Sequence, residues 1–309
     1  MAERGMNKVI LVTRKTRLAE LISKYNTIQQ AQFYIEHLGA DFSDYLKEDE
    51  NYRRAVEQIL ECARKYARVQ EIDREFVPNM IFGAQDIVIA VGQDGLIANV
   101  LKYLNGQMLI GVNPDTARWD GVLLPFEPGD MERVIPTVLD GRQQVKEITM
   151  AQAGLQDRQV MLAVNDLFVG QRTHVSARYD ICWNRQRESQ SSSGIIISTG
   201  LGATGWYKSI LAQAGQIAEA FGYGSIQEEP LAWGDNRLTF VVREPYPSKV
   251  TQAGIVFGKI GQQDEFRVVS KMPQGGVIFS DGMESDALEF ASGMEVRIGV
   301  ADRKGLLVC

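Results

Sequence analysis

Residues 86–104 read DIVIAVGQDGLIANVLKYL, and this stretch indicates the fold of the first half of the chain. The apolar run Ile87–Val91 is typical of a strand that is buried on both faces of a parallel sheet. Gly92 and Gly95 then allow a tight turn, and the apolar residues from Leu96 to Leu104 predict a helix. A strand, a glycine turn and a helix in this order present backbone N–H groups that suit a phosphate.

Asp94 lies between the two glycines. A carboxylate beside a bound phosphate places two negative charges together, so its presence there requires an explanation. It either caps the helix, a role that aspartate fills well, or acts on a substrate. The residues alone leave both interpretations open. No lysine lies inside the loop, so the pattern G-x-x-x-x-G-K-[ST] of a P-loop is excluded.

The rest of the first half alternates predicted strands with predicted helices. This alternation predicts βαβ units around a parallel sheet. The further elements expected here are strands at Lys8–Thr13 and Met108–Val112, a helix from about Leu18, a helix over Glu50–Arg68, and a helix over Met131–Leu139 interrupted at Pro136.

After about residue 145 the pattern changes to short strands separated by Gly, Pro, Asp and Ser. We therefore expect an α/β domain over 1–145 and a β-rich domain over 146–309, whose last strand could return to the first domain. Only Trp206–Phe221 predicts a helix in this half. The strands expected are Val160–Val169, Val175–Trp183, Gly194–Ser198, Leu238–Val242, Gly254–Gly258, Phe266–Ser270, Gly275–Ser280 and Met294–Val300.

The composition of the 309 residues bounds the class of protein. Hydrophobic residues make up 45% and charged residues 23%, as in globular proteins. A net charge of -6 argues against a broad nucleic-acid surface. The three cysteines form no C-x-x-C pair, so neither a zinc site nor a disulfide framework is expected. No apolar run reaches the roughly 20 residues of a membrane span, and no secretory signal is recognisable, so we expect a cytoplasmic protein.

Several further patterns carry possible chemistry. Residues 200–205 match G-x-G-x-x-G, with Glu228 and Glu229 a little over 20 residues on, which is a dinucleotide-binding pattern in poor context because the surrounding half is β-rich. Asn165 and Asp166 interrupt an apolar strand, either as a turn or bulge or to hold sugar hydroxyls. The basic residues of 14–17 either neutralise phosphate or face solvent, and residues 281–282 are most simply a hairpin turn.

The order of these patterns resembles the NAD kinase family, whose architecture is shared with diacylglycerol and sphingosine kinases. The family's Gly-Gly-Asp-Gly-Thr motif corresponds to 92–96, its Asn-Glu to 165–166, its Thr- and Gly-rich turn to 199–206, and its late Asp-Gly to 281–282. The resemblance covers most of 8–300 and implies an α/β nucleotide domain followed by a β-rich NAD-binding domain. Its closest branch is the mitochondrial type, through Lys15, Thr16 and Arg17, through Ser192, Ser193 and Gly194, and through Trp206.

The resemblance implies transfer of the γ-phosphoryl group of ATP to the 2'-hydroxyl of the adenosine ribose of NAD, with Mg2+ bridging the ATP phosphates and no protein metal ligand assigned. Asp94 would accept or orient the proton of that hydroxyl. The nucleotide-binding residues that it implies are Gly92, Gln93, Gly95, Lys15, Arg17, Asn165, Asp166, Thr199, Thr204, Gly205 and Trp206.

Two departures from the family motif leave a second hypothesis open. Gln93 and Leu96 replace a glycine and a threonine, so a nucleotide-binding sensor with altered catalysis is the alternative. A lipid kinase is a weaker one, because no basic amphipathic helix for a membrane surface is present. Polyphosphate as donor and NADH as acceptor also stay open. The resemblance further implies a homo-oligomer, with no nucleic acid or membrane as partner.

Overall fold

The structure is a computed structural model that describes residues 8–226 and 231–309. These residues divide into two compact units, one that extends up to Lys146 and includes Leu306–Cys309, and one within Glu147–Gly305. The described helices are α1 Arg17–Tyr25, α2 Ile28–His37, α3 Phe42–Ala63, α4 Asp94–Leu101, α5 Met131–Leu139 and α6 Trp206–Ala220. The described strands are β1 Lys8–Thr13, β2 Arg68–Asp73, β3 Ile87–Val91, β4 Met108–Val112, β5 Val145–Ile148, β6 Ala151–Leu155, β7 Val160–Ala163, β8 Asp166–Gln171, β9 Ala177–Trp183, β10 Gln186–Ser192, β11 Ile195–Ser198, β12 Arg237–Val242, β13 Phe257–Gly261, β14 Phe266–Ser270, β15 Gly276–Ser280, β16 Met283–Glu289, β17 Glu295–Val300 and β18 Gly305–Val308.

The first unit is built on one six-stranded sheet in the order β2-β1-β3-β4-β18-β5. Strand β1 pairs in parallel with β2 and β3, and β4 pairs in parallel with β3 and β18. Every residue of β3 is buried, as expected of a parallel strand with both faces covered. Helices α3 and α5 pack on the sheet through a core that includes Ile59 and Val134. The carboxyl ends of β1, β3 and β4 therefore meet at one edge of the sheet.

The second unit contains two antiparallel six-stranded sheets that share one apolar core. Sheet I has the order β10-β9-β14-β17-β6-β7, and sheet II has the order β13-β12-β11-β8-β15-β16. Tyr179 and Phe266 from sheet I and Phe240 from sheet II are fully buried in this core. Helix α6 packs on sheet II through Tyr207, which contacts a second cluster that includes Phe168.

The predicted fold class, an α/β N-terminal part followed by a β-rich C-terminal part, is confirmed. Four local predictions are wrong. Residues 160–169 are two strands, because the chain turns at Val164 and Asn165. The strand expected at Gly254–Gly258 lies at Phe257–Gly261, and the helix expected over Glu50–Arg68 runs over Phe42–Ala63. Helix α5 also passes through Pro136 without a break.

Elements that carry few apolar residues were not predicted. Strand β10 reads QRESQSS, yet it pairs along its whole length with β9. Strand β2 is an edge strand that has no buried residue and is highly charged. Neither strand shows the hydrophobic period on which prediction from sequence depends. Among the described residues, no helix combines the length and the hydropathy needed to cross a bilayer.

Candidate functional site

The glycine loop connects β3 to α4 in the first unit. Gly92 is buried, and its N–H donates to the carbonyl of Val112 at 3.1 Å. A Cβ atom at this position would lie 3.0 Å from Cδ2 of Leu96 and 3.4 Å from Nε of Arg14. Close packing of the loop on these two side chains therefore favours glycine at position 92.

The amino end of α4 is open. Gln93 is the N-cap residue, and no side chain makes a capping hydrogen bond there. The first N–H groups of a helix have no acceptor within the helix, and they carry partial positive charge. Gly95 is exposed, and a Cβ atom at that position would meet no atom within 4 Å. Packing thus does not require glycine at position 95, and the open helix end suits an anion that approaches the backbone.

The carboxylate of Asp94 is directed at a neighbouring loop. Its Oδ1 accepts a hydrogen bond from the N–H of Leu123 at 2.7 Å, and its Oδ2 accepts one from Val122 at 3.3 Å. The capping interpretation is therefore wrong, because Asp94 is the first helical residue and its side chain binds outside the helix. A carboxylate has about four acceptor positions, so these two bonds leave Asp94 able to accept another from a substrate hydroxyl.

Arg14 approaches the glycine loop, and it was not among the individual nucleotide-binding residues that the family resemblance implied. Its side chain is only 8% exposed, with Nη2 3.0 Å from Oε1 of Glu48 and the guanidinium over the ring of Tyr52. Its buried Nε–H has no hydrogen-bond partner. Because that nitrogen would lie 3.4 Å from a Cβ atom at Gly92, an unsatisfied donor stands beside the loop. Its position directly after β1 was the signal that could have identified it.

The two predicted cations have carboxylate partners. Nζ of Lys15 lies 3.1 Å from Oε1 of Glu75, in an exposed pair. The guanidinium of Arg17 binds Asp44 at 2.7 Å and also binds Glu48. Hydrogen bonds from Arg118, and then from Arg17, hold the pKa of Asp44 far below its ordinary value. The described structure thus brings Lys15 and Arg17 to carboxylates of the first unit, and their role in nucleotide binding stays a prediction.

Tyr52 fixes the position of Arg14 relative to β3. Its hydroxyl accepts from the N–H of Arg14 at 2.8 Å and donates to the carbonyl of Val91 at 3.1 Å. Burial raises the pKa of Tyr52 to about 12, so the hydroxyl stays protonated and can donate. No pattern in the sequence distinguished Tyr52 from the other buried residues of α3.

The second unit brings the predicted pair Asn165 and Asp166 together with Asp281. The turn between β7 and β8 presents its N–H groups to the carboxylate of Asp281, which accepts from Val164 at 3.1 Å, from Asn165 at 2.6 Å and from Asp166 at 3.3 Å. Asp281 lies in the predicted hairpin turn, with a φ of 54°. The hairpin is confirmed between β15 and β16, and its carboxylate fixes the Asn165–Asp166 turn.

Asp166 is a buried carboxyl group beside a second one. Burial, and then the charge of Asp281, raise the pKa of Asp166 to about 7. Alternate residues of a strand share a face, so Asp166 lies on the same face of β8 as Phe168, which contacts α6. The group therefore titrates near neutral pH on the α6 side of sheet II.

Gly200 and Gly202 of the 199–205 turn allow close backbone packing. The hydroxyl of Thr199 donates to the carbonyl of Val164 at 2.5 Å, which ties this turn to the Asn165 turn. A Cβ atom at Gly202 would lie 2.1 Å from the carbonyl oxygen of Asn165, and one at Gly200 would lie 2.1 Å from that of Ala232. Strand β11 pairs antiparallel with β8 and β12, so the dinucleotide-fold interpretation is wrong. Residues 228–229, on which that interpretation also relied, lie outside the described residues.

Thr204 and Gly205 are exposed at the start of α6, and Trp206 is the first residue of that helix. The indole of Trp206 stacks on Phe168, with ring centroids 5.7 Å apart and planes inclined by 11°. The guanidinium of Arg243 lies 5.1 Å from the indole centroid. The ring predicted to offer a stacking face to adenine therefore already contacts two side chains.

Comparison with known proteins identifies the fold. No protein-family model matches the sequence, and no curated protein matches it. An NAD kinase from Archaeoglobus fulgidus, solved with ATP, is similar with a TM-score of 0.57 at 15% identity over 98% of this chain and 93% of that one. Yeast NADH kinase, solved with NADH, is similar with a TM-score of 0.58 at 13% identity over 99% and 84%. The chain thus has the fold of the NAD kinases.

Proposed function

We propose that this protein is a phosphotransferase that moves the γ-phosphoryl group of ATP to the 2'-hydroxyl of the adenosine ribose of NAD, giving NADP. The observation that carries the proposal is the unsatisfied, buried Nε–H of Arg14 beside the open amino end of α4. A buried donor without a partner is costly, and a phosphate at the helix end would satisfy it. The fold shared with a kinase solved with ATP supports the same assignment.

The first unit is assigned to ATP. Phosphoryl transfer depends on positioning and charge neutralisation more than on covalent chemistry. The backbone N–H groups at Gln93 and Gly95 would donate to phosphate oxygens. Gly92, whose own N–H is bonded to Val112, would let Arg14 approach the loop, and Arg14 would add a charge-assisted hydrogen bond. Lys15 and the partly exposed Arg17 would counter further negative charge, provided that they release or share their carboxylate partners.

Mg2+ would arrive with ATP. This cation usually binds through substrate phosphates with one or two carboxylates and several waters, so it needs no cage of protein ligands. Within residues 8–226 and 231–309 no group of three or more His, Cys, Asp or Glu side chains could hold a metal ion. The residues of the glycine loop fit this arrangement, since Asp94 keeps acceptor capacity beside the helix end.

Asp94 is proposed to accept the proton of the 2'-hydroxyl or to orient that hydroxyl. Its two hydrogen bonds to the backbone of Val122 and Leu123 fix the carboxylate in one orientation. General-base assistance of this kind is typically worth roughly 10²–10⁴-fold in rate. The carboxylate of Asp94 would then hold the 122–123 loop through these hydrogen bonds and also act on the 2'-hydroxyl.

The second unit is assigned to NAD. The carboxamide of Asn165 and the carboxyl group of Asp166 are suited to ribose hydroxyls, and Asp281 and Thr199 hold their turn in place. Thr204 and Gly205 are exposed at the start of α6, where a nucleotide could reach them. Trp206 would contribute to an adenine pocket through the part of its ring that Phe168 and Arg243 leave open.

Finer features of the assignment follow the family resemblance. Residues 15–17, 192–194 and 199–206 support the proposal that the chain is nearest the mitochondrial-type branch, and an oligomer of identical chains is proposed with it. NAD with ATP is the proposed substrate pair. NADH and polyphosphate are the competing acceptor and donor, and reactions with NADH in place of NAD, or with polyphosphate in place of ATP, distinguish them.

The second candidate is a nucleotide-binding sensor without transfer. One observation favours it: Leu96 is buried where the family motif has a threonine, so the loop lacks that hydroxyl. Both candidates bind nucleotide, and they differ in product formation alone.

The test is an assay coupled to an NADP-specific dehydrogenase, with ATP, Mg2+ and NAD, on the parent protein, Arg14→Lys and Arg142→Lys. Arg142 is an exposed arginine that pairs with Asp140 and serves as the control. We expect turnover by the parent and the control, and at least about a tenfold loss in Arg14→Lys, because lysine lacks the Nε–H. A folded parent protein that binds ATP and forms no NADP supports the sensor instead.

A further inference from the structure

The second unit contains a cavity of about 740 Å³ at the far end of the β8–β15 pair from the Asn165 turn. Its lining comes from two segments, residues 171–178 and residues 271–275. In the antiparallel register Ser280 pairs with Leu167 at the Asn165 end, and Gly276 pairs with Gln171 at the cavity end. Leu167 and Gln171 are four residues apart on β8. At about 3.4 Å per residue, the cavity end of this strand pair therefore lies on the order of 14 Å from its Asn165 end. The cavity is therefore distinct from the residues proposed to bind NAD.

Hydrogen bonds between the two segments fix the rim of this cavity. The side chain of Gln171 donates to the carbonyl of Gln274 at 2.8 Å, and the N–H of Arg172 donates to the carbonyl of Gly275 at 2.9 Å. The N–H of Lys271 donates to the carbonyl of Arg178 at 2.8 Å. A cavity with such a rim is largely formed before any ligand arrives, which lowers the entropy cost of binding.

The lining carries three cations, Arg172, Arg178 and Lys271, and contains no carboxylate among the described residues. The position of Lys271 is fixed, because its Nζ binds the buried carboxylate of Asp180 and the hydroxyl of Ser189. Within the described part of the chain, neither arginine has a carboxylate within ion-pair distance. This local positive charge stands against a net charge of -6 for the whole protein.

We propose that this cavity binds a small polyanion that carries two or more phosphate groups. Its volume lies within the range of about 300–1,000 Å³ that is typical of small-molecule sites. Arginine presents a planar fork of donors that matches phosphate oxygens, and two arginines that lack carboxylate partners can each take one phosphate. Thr173 and Ser176 add hydroxyl groups to the lining. A single carboxylate would leave most of this positive charge uncompensated, so the ligand class is a polyphosphate or a phosphorylated metabolite.

The test uses inorganic tripolyphosphate as the probe in isothermal titration calorimetry, with a non-hydrolysable ATP analogue present at saturation. The proteins compared are the parent, the double variant Arg172→Gln/Arg178→Gln, and the control Arg133→Gln, which changes an exposed arginine paired with Asp130. Both cavity arginines are exposed, so the double variant should keep its fold, which circular dichroism checks.

We expect one saturable site in the parent and the control, with binding that weakens as salt rises. The double variant should bind at least about tenfold more weakly, because each charge-assisted contact to phosphate is strong. Its rate of NADP formation should equal that of the parent, which separates this site from the proposed function. A double variant that binds tripolyphosphate as tightly as the parent would overturn the proposal, as would a parent that binds neither tripolyphosphate nor the ATP analogue, itself a polyanion, more tightly than the double variant does.

Discussion

The carboxylate of Asp281 accepts a hydrogen bond of 2.6 Å from the backbone N–H of Asn165, across 116 residues of sequence. The same carboxylate accepts from the two neighbouring N–H groups, and the N–H of Asp281 donates to the carbonyl of Asp166 at 3.0 Å. The conformation of the Asn165–Asp166 turn therefore depends on a residue of the β15–β16 hairpin. This relationship is local to the second unit and does not depend on any assignment of function.

Asp281→Ala should destabilise the protein by about 1–3 kcal/mol, because buried N–H groups lose their acceptor. Asp281→Asn should reduce the stability less than Asp281→Ala does, since asparagine keeps one acceptor oxygen and tolerates the left-handed backbone at this position. Urea unfolding of both variants measures the difference. Equal stability of Asp281→Ala and the parent would show that water replaces the carboxylate and that the turn does not depend on it.

Asp166 should make the folded protein less stable as the pH rises from about 4 to about 7. Its pKa is raised in the folded state to about 7, so the folded protein holds a proton that the unfolded chain has released. The stabilisation is fully present below the ordinary pKa of aspartate and is lost as the pH rises through the folded value. The slope for one proton is at most about 1.4 kcal/mol per pH unit.

Unfolding free energies of the parent and Asp166→Asn, measured between pH 4.5 and 8, test this dependence. Asp44 and Asp180 have lowered pKa values, so they titrate below this window. The free energy of unfolding of Asp166→Asn should increase relative to that of the parent as the pH rises. A difference that is constant with pH would mean that Asp166 is ionised throughout the window.

Gly95→Ala should separate stability from nucleotide binding. Alanine at this open position meets no atom of the protein and favours helix, so stability should stay unchanged or rise by up to about 1 kcal/mol. ATP binding should weaken, because the methyl group stands where phosphate would approach the backbone. Gly129→Ala is the matched control, since its Cβ atom would also meet almost nothing. If Gly95→Ala binds ATP as the parent does, phosphate does not approach that part of the loop.

Asp94→Asn should reduce the rate of NADP formation by roughly 10²–10⁴-fold, because the amide cannot accept a proton. It should also lower stability by about 0.5–1.5 kcal/mol, since one of its two backbone hydrogen bonds is lost. Asp86→Asn is the control, because Asp86 also accepts from a backbone N–H in the first unit. Near-normal turnover in Asp94→Asn would restrict Asp94 to holding the 122–123 loop.

The sequence was sufficient for the buried framework of the fold. Strands β1, β3 and β4 are largely apolar runs, and α6 is the one helix predicted in the second half, so the hydrophobic pattern alone locates them. It failed for β10 and β2, whose side chains are mostly polar and whose pairing comes from the backbone. The turn at Val164 and Asn165 was one of two interpretations that the sequence left open, because the carboxylate that fixes it is distant in the sequence.

The site was predictable where local chain geometry decides it. The glycine loop follows a buried strand and opens a helix, so its position was evident from residues 86–104. Which cation of residues 14–17 approaches the loop was not evident, because the choice depends on Tyr52, Glu48 and Asp44, which lie on α3. The structure directs Arg14 to the loop and Arg17 to the carboxylates.

The most direct test of the central claim is 31P NMR of a reaction that contains the folded protein, ATP, Mg2+ and NAD. We predict a growing phosphomonoester signal from the 2'-phosphate of the adenosine ribose, with one ADP formed for each NADP. The result that would contradict the claim is the absence of this signal from folded protein that binds both nucleotides under the same conditions.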